Sequence, residues 1–283
     1  MDRDRPARVS FDSLWDNKLR ILGSGSYGDV ALVSWNGTPA ALKRAKSSLD
    51  YEALEDEKKI LSALKGKGGA PRLLRSFTDP PAIVMEFKGD KSLSDVQNNR
   101  SDALDIIYKI GCRLQEIHEA HFVHNDLKEN NIMIEGLNSD PKISIIDYGL
   151  ACRPGIKIDM TGEPSEYPWY APEVFKDLPS TYATDVFSFG VLIENLLNSQ
   201  NKLLSLVNNN PKLSKVIRAS VHPNPKKRPR LPDLLSHVEA LLKPAVELAT
   251  SVRPSKRKLI MSPEHPCNNT RQNKRPRYNF RRK

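Results

Sequence analysis

Cysteine is scarce in this chain. There are three, Cys112, Cys152 and Cys267, far apart and odd in number. No CxxC pair or Cys/His cluster occurs, which argues against a structural zinc site and fits free thiols in a reducing compartment. Long apolar runs are missing too: nothing approaches the roughly 20 residues a membrane span needs, so no membrane partner is expected. The opening MDRDRPARVSFD alternates charges and holds no apolar stretch, and so does not read as a secretory signal. Most of the chain also lacks an excess of either charge. Of 44 Lys and Arg and 34 Asp and Glu, eleven bases and one acid (Glu264) fall in 251–283, leaving 33 of each in residues 1–250. A neutral body argues against a nucleic-acid-binding module, and the basic isoelectric point describes only the tail.

What is present is ordered. Residues 1–17 read as a short leader. Over 18–87 the pattern is strand-like: KLRILGSG, DVALVSW, TPAALKR and AIVMEF are short, apolar or β-branched, and broken by Gly, Asn and Pro. One helix interrupts them, DYEALEDEKKILSALKG, with Leu54, Lys58, Leu61 and Leu64 at helical spacing. From 88 to 245 the character is helical. Leu104, Ile107, Ile110, Leu114 and Ile117 form one stripe, with Ser101 as a cap. Two short strands follow, NIMIEG and KISIIDYG, parted by a turn with Asn138, Asp140 and Pro141. TDVFSFGVLIENLLN and LPDLLSHVEALLKPAVELA are further helices. From about Ser251 Pro, Asn, Ser, Lys and Arg dominate, and 246–283 is expected to be a basic, disordered tail.

Several motifs carry chemistry. Gly23, Gly25 and Gly28 form GSGSYG, whose backbone could approach phosphate oxygens. Alone, this pattern also fits a Rossmann unit or an ordinary turn, but a Rossmann unit needs a helix next, and DVALVSWNG reads as strand and turn. Lys43 ends AALK, where its stem could lie along a pocket wall, although an isolated strand lysine is commonly a solvated charge. It would need an acid to hold it; Glu57 fits the apolar register best, with Glu52 and Glu55 as alternatives. HNDLKENN is more specific. Asp126 can accept a hydroxyl proton, Lys128 can neutralise charge on a transferring phosphoryl group, and Asn131 offers an oxygen to a hard cation. Asp147, at the end of apolar ISII and before Gly149, is costly to bury unless it meets a cation such as magnesium.

With these motifs in this order, the chain resembles the eukaryotic protein kinase family from about Lys18 to Leu242. That family runs glycine loop, strand lysine, helix glutamate, HRDLKxxN, DFG and APE. This sequence has GSGSYG, Lys43, Glu57, HNDLKENN, DYG and Ala171-Pro172-Glu173, then DVFSFG at 185–190. Arg228 sits where the family places the partner of the APE glutamate, here Glu173. The resemblance implies an α+β bilobal fold, with a small β-rich lobe and a larger helical one. It implies ATP and Mg²⁺ as cofactors and a protein serine or threonine as acceptor. In its terms Leu22, Val30 and Ala41 would sandwich adenine, and 86–88 (Glu86 to Lys88) would bond its edge behind Met85. Lys43, held by Glu57, would grip the phosphates, Asn131 and Asp147 would hold the metal, Asp126 would orient the hydroxyl, and Lys128 would steady the γ-phosphate. The alternative is a pseudokinase scaffold, but such chains usually lose the counterpart of Lys43, Asp126 or Asp147.

The sequence also departs from the family. Asn125 replaces the HRD arginine that meets an activation-loop phosphate, so an activation segment competent without phosphorylation of Thr161 or Ser165 is expected. Tyr148 replaces a phenylalanine and Phe187 a tryptophan. Glu166 stands where serine/threonine kinases place a threonine that touches the catalytic Asp and Lys. The short interval from Asp185 to Arg228 implies trimmed helices and loops. Compact, divergent kinases of this kind occur in large DNA viruses, and no residue here marks the source. In the tail, basic clusters at 255–258 and 273–277 admit three readings. They could be an importin-read nuclear signal, with a cytoplasmic location otherwise; a nonspecific nucleic-acid contact helped by Tyr278 and Phe280; or an inert solvated end. Ser262 between them is a candidate for phosphorylation.

Overall fold

The computed structural model describes residues 9–25, 28–95, 102–136, 140–158, 160 and 162–251. Ser26, Tyr27, Ser101, Asn138, Thr161 and the basic tail beyond 251, with the readings placed on them, lie outside the described residues. Short, β-rich segments come first and build one antiparallel sheet. Its strands are β1 (Arg20–Gly25), β2 (Gly28–Trp35), β3 (Thr38–Arg44), β4 (Leu73–Thr78) and β5 (Pro81–Glu86), in the order β1-β2-β3-β5-β4. Helix α2 (Ser48–Leu64) lies between β3 and β4 in the chain. Ser47 and Asp50 close a reciprocal capping box at its start, and Lys65 ends it in the left-handed region with φ 50°. Its Leu54, Ile60, Leu61 and Leu64 are buried together with Glu57.

The larger lobe is helical: α3 (Ala103–Glu119), α4 (Tyr182–Ser199), α5 (Asn201–Asn208), α6 (Pro211–Ser220) and α7 (Leu231–Ser251), with the hairpin β6 (Ile132–Glu135) and β7 (Lys142–Ile145). The α3 stripe of Leu104, Ile107, Ile110, Leu114 and Ile117 is buried throughout, each side chain contributing about 1.5–3 kcal/mol. Gly111 on that helix is there for clearance: a Cβ would stand 2.2 Å from Leu235 on α7 and 3.1 Å from Phe189 on α4. Among the described residues no helix is long and apolar enough to cross a membrane.

Three features differ from the sequence reading. First, the leader is structured over its second half. Helix α1 (Phe11–Asp16), capped by Ser10, sets Phe11 and Leu14 onto the face of the sheet turned away from α2, where Ala31, Val33, Ala40, Leu42, Ala82 and Val84 need cover. Six residues are too few for periodicity to announce a helix. Second, β4 was not anticipated; it is an edge strand with no fully buried residue, so its sequence shows no alternation. Third, α7 ends at Ser251, two residues beyond the helix read over 231–249. Between α4 and Arg228 lie two short helices, α5 of 8 residues and α6 of 10.

Candidate active site

A cleft of about 920 Å³ separates the sheet from the helical lobe. Leu22, Val30 and Ala41 line it from the sheet, Met133 and Ile146 from the β6–β7 region, and Met85 and Glu86 from the linking strand. Pairing fixes these positions: Ala41 stands opposite Leu32 and Met85, and Lys43 opposite Val30 and Ile83. The amide N–H of Glu86 donates to Arg72 O at 2.9 Å, so Glu86 presents no N–H to the cleft. Its carboxylate accepts from Lys88 Nζ at 2.7 Å.

Lys43, on β3, is buried, and its Nζ lies 2.6 Å from Glu57 Oε2 and 3.1 Å from Asp147 Oδ1. Of the three acids weighed for Lys43, the structure brings Glu57 to it. Burial pulls the ammonium pKa down, but the two carboxylates more than offset this and hold it above the ordinary lysine value. Asp147 shows the mirror effect: burial pushes its carboxyl up, while the charge and hydrogen bond of Lys43 bring it below the usual range. Asp147 itself has φ 64°, a left-handed turn that ends the run from β7 and aims the carboxylate at the cleft. Tyr148 behind it is buried, its ring 4.9 Å from His124, and its hydroxyl donates to Ile145 O at 3.2 Å. The hydroxyl absent from a phenylalanine is therefore satisfied.

The loop 124–131 is held from below by Asp185 on α4. This carboxylate, wholly buried, accepts the backbone N–H groups of His124 and Asn125, each at 2.8 Å, and lies 2.9 Å from His118 Nε2. Asn125 takes φ 65°, a region asparagine tolerates better than most residues, and its amide donates to Leu150 O at 2.9 Å and Cys152 Sγ at 3.2 Å. Asn125 thus ties the segment after Asp147 through neutral contacts. Asn131 donates its Nδ2 to Asp126 O (2.8 Å) and Oδ2 (2.9 Å), which leaves Oδ1 as its ligating atom. Lys128 Nζ reaches both Asp126 oxygens, at 3.1 and 2.8 Å. Two further donors were not foreseen from the sequence: Trp169 Nε1 at 3.1 Å and Tyr170 OH at 2.9 Å, both on Asp126 Oδ1. Glu166, the residue the sequence comparison pointed to, is exposed.

The glycine loop is braced by charge. Gly28 has φ 142°, and a Cβ there would lie 2.3 Å from Arg44 O, so only glycine fits. A Cβ at Gly23 or Gly25 would meet nothing within 4 Å, leaving the cleft side of the loop open. Ser24 Oγ donates to Asp29 at 2.7 Å, and Lys46 Nζ donates to Ser24 Oγ at 2.8 Å and Gly25 O at 3.0 Å. The Ser24 bond, joined by Arg44 and Lys46, holds the Asp29 carboxyl down at about 2. Its stabilisation is therefore complete above the ordinary carboxylate pKa of about 4 and is lost as pH falls through about 2.

Among the described residues no group of three or more His, Cys, Asp or Glu side chains is arranged to hold a metal. The donor pair Asn131 and Asp147 fits a hard dication that takes its remaining ligands from phosphate oxygens and water. Comparison with known proteins agrees with this geometry. The family model described as "Protein kinase domain" matches residues 17–263. The probable serine/threonine-protein kinase gdt4 of Dictyostelium discoideum is 25% identical over 276 residues, covering 86% of this chain and 17% of its own. The serine/threonine-protein kinase Nek4 of Mus musculus is 25% identical over 264 residues, covering 87% of this chain and 32% of its own. The dual specificity protein kinase pyk3 of Dictyostelium discoideum is 28% identical over 184 residues, 61% of this chain and 13% of its own. The chain thus spans about a third or less of the length of these relatives.

Proposed function

The chain belongs to the protein kinase family, and from that premise we propose that it transfers the terminal phosphoryl group of ATP to serine or threonine hydroxyls of other proteins. One observation carries the reading. Lys43 on the sheet is held by Glu57 and reaches across the cleft to Asp147, and Asp126, Lys128 and Asn131 are joined on the helical-lobe side. Lys43 would meet the phosphates as a fixed positive charge, already desolvated and oriented. Asn131 Oδ1 and the Asp147 carboxylate would hold magnesium, which when bound supplies charge neutralisation on the phosphates. Asp126 would orient the acceptor hydroxyl, and Lys128, partly exposed, can swing from it toward the transferring group. A scaffold without catalysis is the less favoured reading, because none of these side chains is missing or turned away.

Serine or threonine as acceptor is favoured by Lys128 and by the names of two of these relatives, while pyk3 carries a dual-specificity name. The neutral Asn125 anchor supports activity without prior phosphorylation. Both points meet in one experiment: a peptide array with γ-labelled ATP and phosphatase-treated protein. Label on serine and threonine peptides is expected. Label confined to tyrosine would reject the acceptor assignment, and silence until the segment is phosphorylated would reject unassisted activity.

The brace on the glycine loop adds a smaller prediction. Asp29→Asn removes the charge that holds Ser24, Arg44 and Lys46 together. A partly exposed pair is worth about 0.7 kcal/mol, so the KM for ATP is expected to rise about threefold with little change in kcat. Steady-state kinetics at varied ATP checks this.

A further inference from the structure

Successive side chains of a strand point to opposite faces of its sheet. Val30, Ala41 and Lys43 face the cleft. Their neighbours Ala31, Val33, Ala40 and Leu42 belong to the apolar cluster of the other face, which Phe11 and Leu14 of α1 cover. By the same alternation Asp29 and Arg44 continue that outer face, and they stand opposite each other across β2 and β3. Asp29 also stands opposite Ser24 of the glycine loop. The outer face therefore ends in a polar pair beside the loop, and the α1 residue that reaches it is Trp15.

The contacts run unbroken from α1 to the loop. The guanidinium carbon of Arg44 lies 3.8 Å from the centre of the Trp15 ring. Arg44 donates from Nε at 3.3 Å and from Nη2 at 3.0 Å, both to Asp29 Oδ2. Asp29 Oδ1 is left to Ser24 Oγ, at 2.7 Å, and to Lys46 Nζ, at 3.2 Å. Lys46 in turn donates to Gly25 O at 3.0 Å. Trp15 is itself held, its ring stacked on Phe11 at 5.8 Å and its carbonyl accepting from Lys18 Nζ at 3.0 Å. The Arg44 side chain is 36% exposed, so by itself it has many rotamers open to it. An indole face beside the guanidinium limits that freedom, since arginine stacks on aromatic rings and keeps its planar fork preorganised. With the fork fixed on Oδ2, the carboxylate is turned so that Oδ1 faces Ser24.

We propose that α1 positions the glycine loop for nucleotide binding: Trp15 fixes the Arg44 fork on Asp29, and Asp29 so oriented holds Ser24 and, with Lys46, the strand end at Gly25. The inference rests on the reading of that loop as the cradle of the ATP phosphates. Trp15 is a positioning residue. It lies on the face of the sheet turned away from the cleft and acts only through Arg44 and Asp29. Helix α1 thereby does two things at once, covering the outer face of the sheet and setting the affinity for ATP on the inner one.

The test is calorimetric titration with MgATP, which reads binding without requiring transfer. Trp15→Met keeps bulk against the sheet and removes the ring face. A cation–π contact at a partly exposed site corresponds to about threefold, so the Kd for MgATP is expected to rise about threefold. Because the effect travels through Asp29, Trp15→Met combined with Asp29→Asn should also bind about threefold more weakly than wild type, rather than the roughly ninefold of independent effects. An indole that only covers the sheet would lower the urea midpoint and leave the Kd alone. An unchanged Kd in Trp15→Met, or a ninefold loss in the double variant, overturns the proposal. Should Trp15→Met fail to fold, Arg44→Lys decides: it keeps the positive charge and loses the planar fork, so the same rise is expected and an unchanged Kd overturns the proposal. A wild type that binds no MgATP would sink the proposed function and this inference together, whereas weakened binding by Asp29→Asn beside an unaltered Trp15→Met sinks this inference alone.

Discussion

Asp126→Asn is expected to lower phosphoryl transfer about a thousandfold while leaving the affinity for MgATP within about threefold, since a positioned acid–base group contributes 10²–10⁴ in rate. Asp126 touches neither Lys43 nor Asp147, so these two groups on the nucleotide side are left as they are. The substitution removes the charge on which Lys128, Trp169, Tyr170 and Asn131 converge. It also turns an amide N–H toward groups that are themselves donors, so the loop loses its organising acceptor. Asp147→Asn should behave differently. It removes one of the two counter-charges of Lys43 and turns the charged member of the metal-ligand pair into a neutral amide, so MgATP affinity and turnover should fall together. Rapid-quench transfer assays paired with equilibrium nucleotide binding check both variants.

The second large effect concerns stability. Arg228→Met is expected to cost about 3–5 kcal/mol, the usual consequence of leaving a buried charge without its partner. The side chains of Arg228 and Glu173 are 0% and 3% exposed, and they meet through two parallel bonds of 2.6 and 2.7 Å. The remaining guanidinium donors reach Ala183 O at 2.8 Å and His222 O at 2.8 Å, and Thr184 donates to Glu173 at 3.1 Å. This cluster fastens the end of the segment that carries Trp169 and Tyr170 to the start of α4 and to the turn ahead of α7. Glu173→Gln should cost a similar amount, leaving the arginine uncompensated. The double variant should cost clearly less than the two singles added, because neither charge is then stranded. Urea midpoints for the three proteins decide; strict additivity would mean that the pair is not coupled as its geometry implies.

How far the sequence foretold this molecule depends on the distance between interacting residues. Asp126, Lys128 and Asn131 lie within six positions, so their convergence follows from local chain geometry and could be read from HNDLKENN. Lys43 and Glu57 are fourteen apart, joined by a strand and a helix whose periodicity is visible, and the apolar register around Glu57 sufficed to prefer it over Glu52 and Glu55. Trp169 and Tyr170 reach Asp126 from 43 and 44 residues away, across a segment with no repeating pattern. Nothing in their spacing tells that both donors end on one oxygen. Position by position, the family comparison singled out Glu166, whose side chain is exposed; the contact is made by the indole and phenol that follow. The brace of Asp29 by Ser24, Arg44 and Lys46 was hidden for another reason: charged residues near a turn look like an ordinary solvated surface until the strands are paired. Helix α1 and strand β4 were missed because a single turn of helix and an edge strand carry too few buried residues to show a period.

The central claim is that the Asn131 and Asp147 oxygens gather a divalent cation beside nucleotide phosphates gripped by Lys43. Calorimetric titration of ATP, with and without magnesium, against the wild-type protein and its Asp147→Asn variant addresses it most directly. Magnesium is expected to strengthen nucleotide binding about tenfold or more in the wild type, on the order of one charge-assisted ligand, and to add almost nothing in the variant. Equal gains from magnesium in both proteins, or none in the wild type, would contradict the claim.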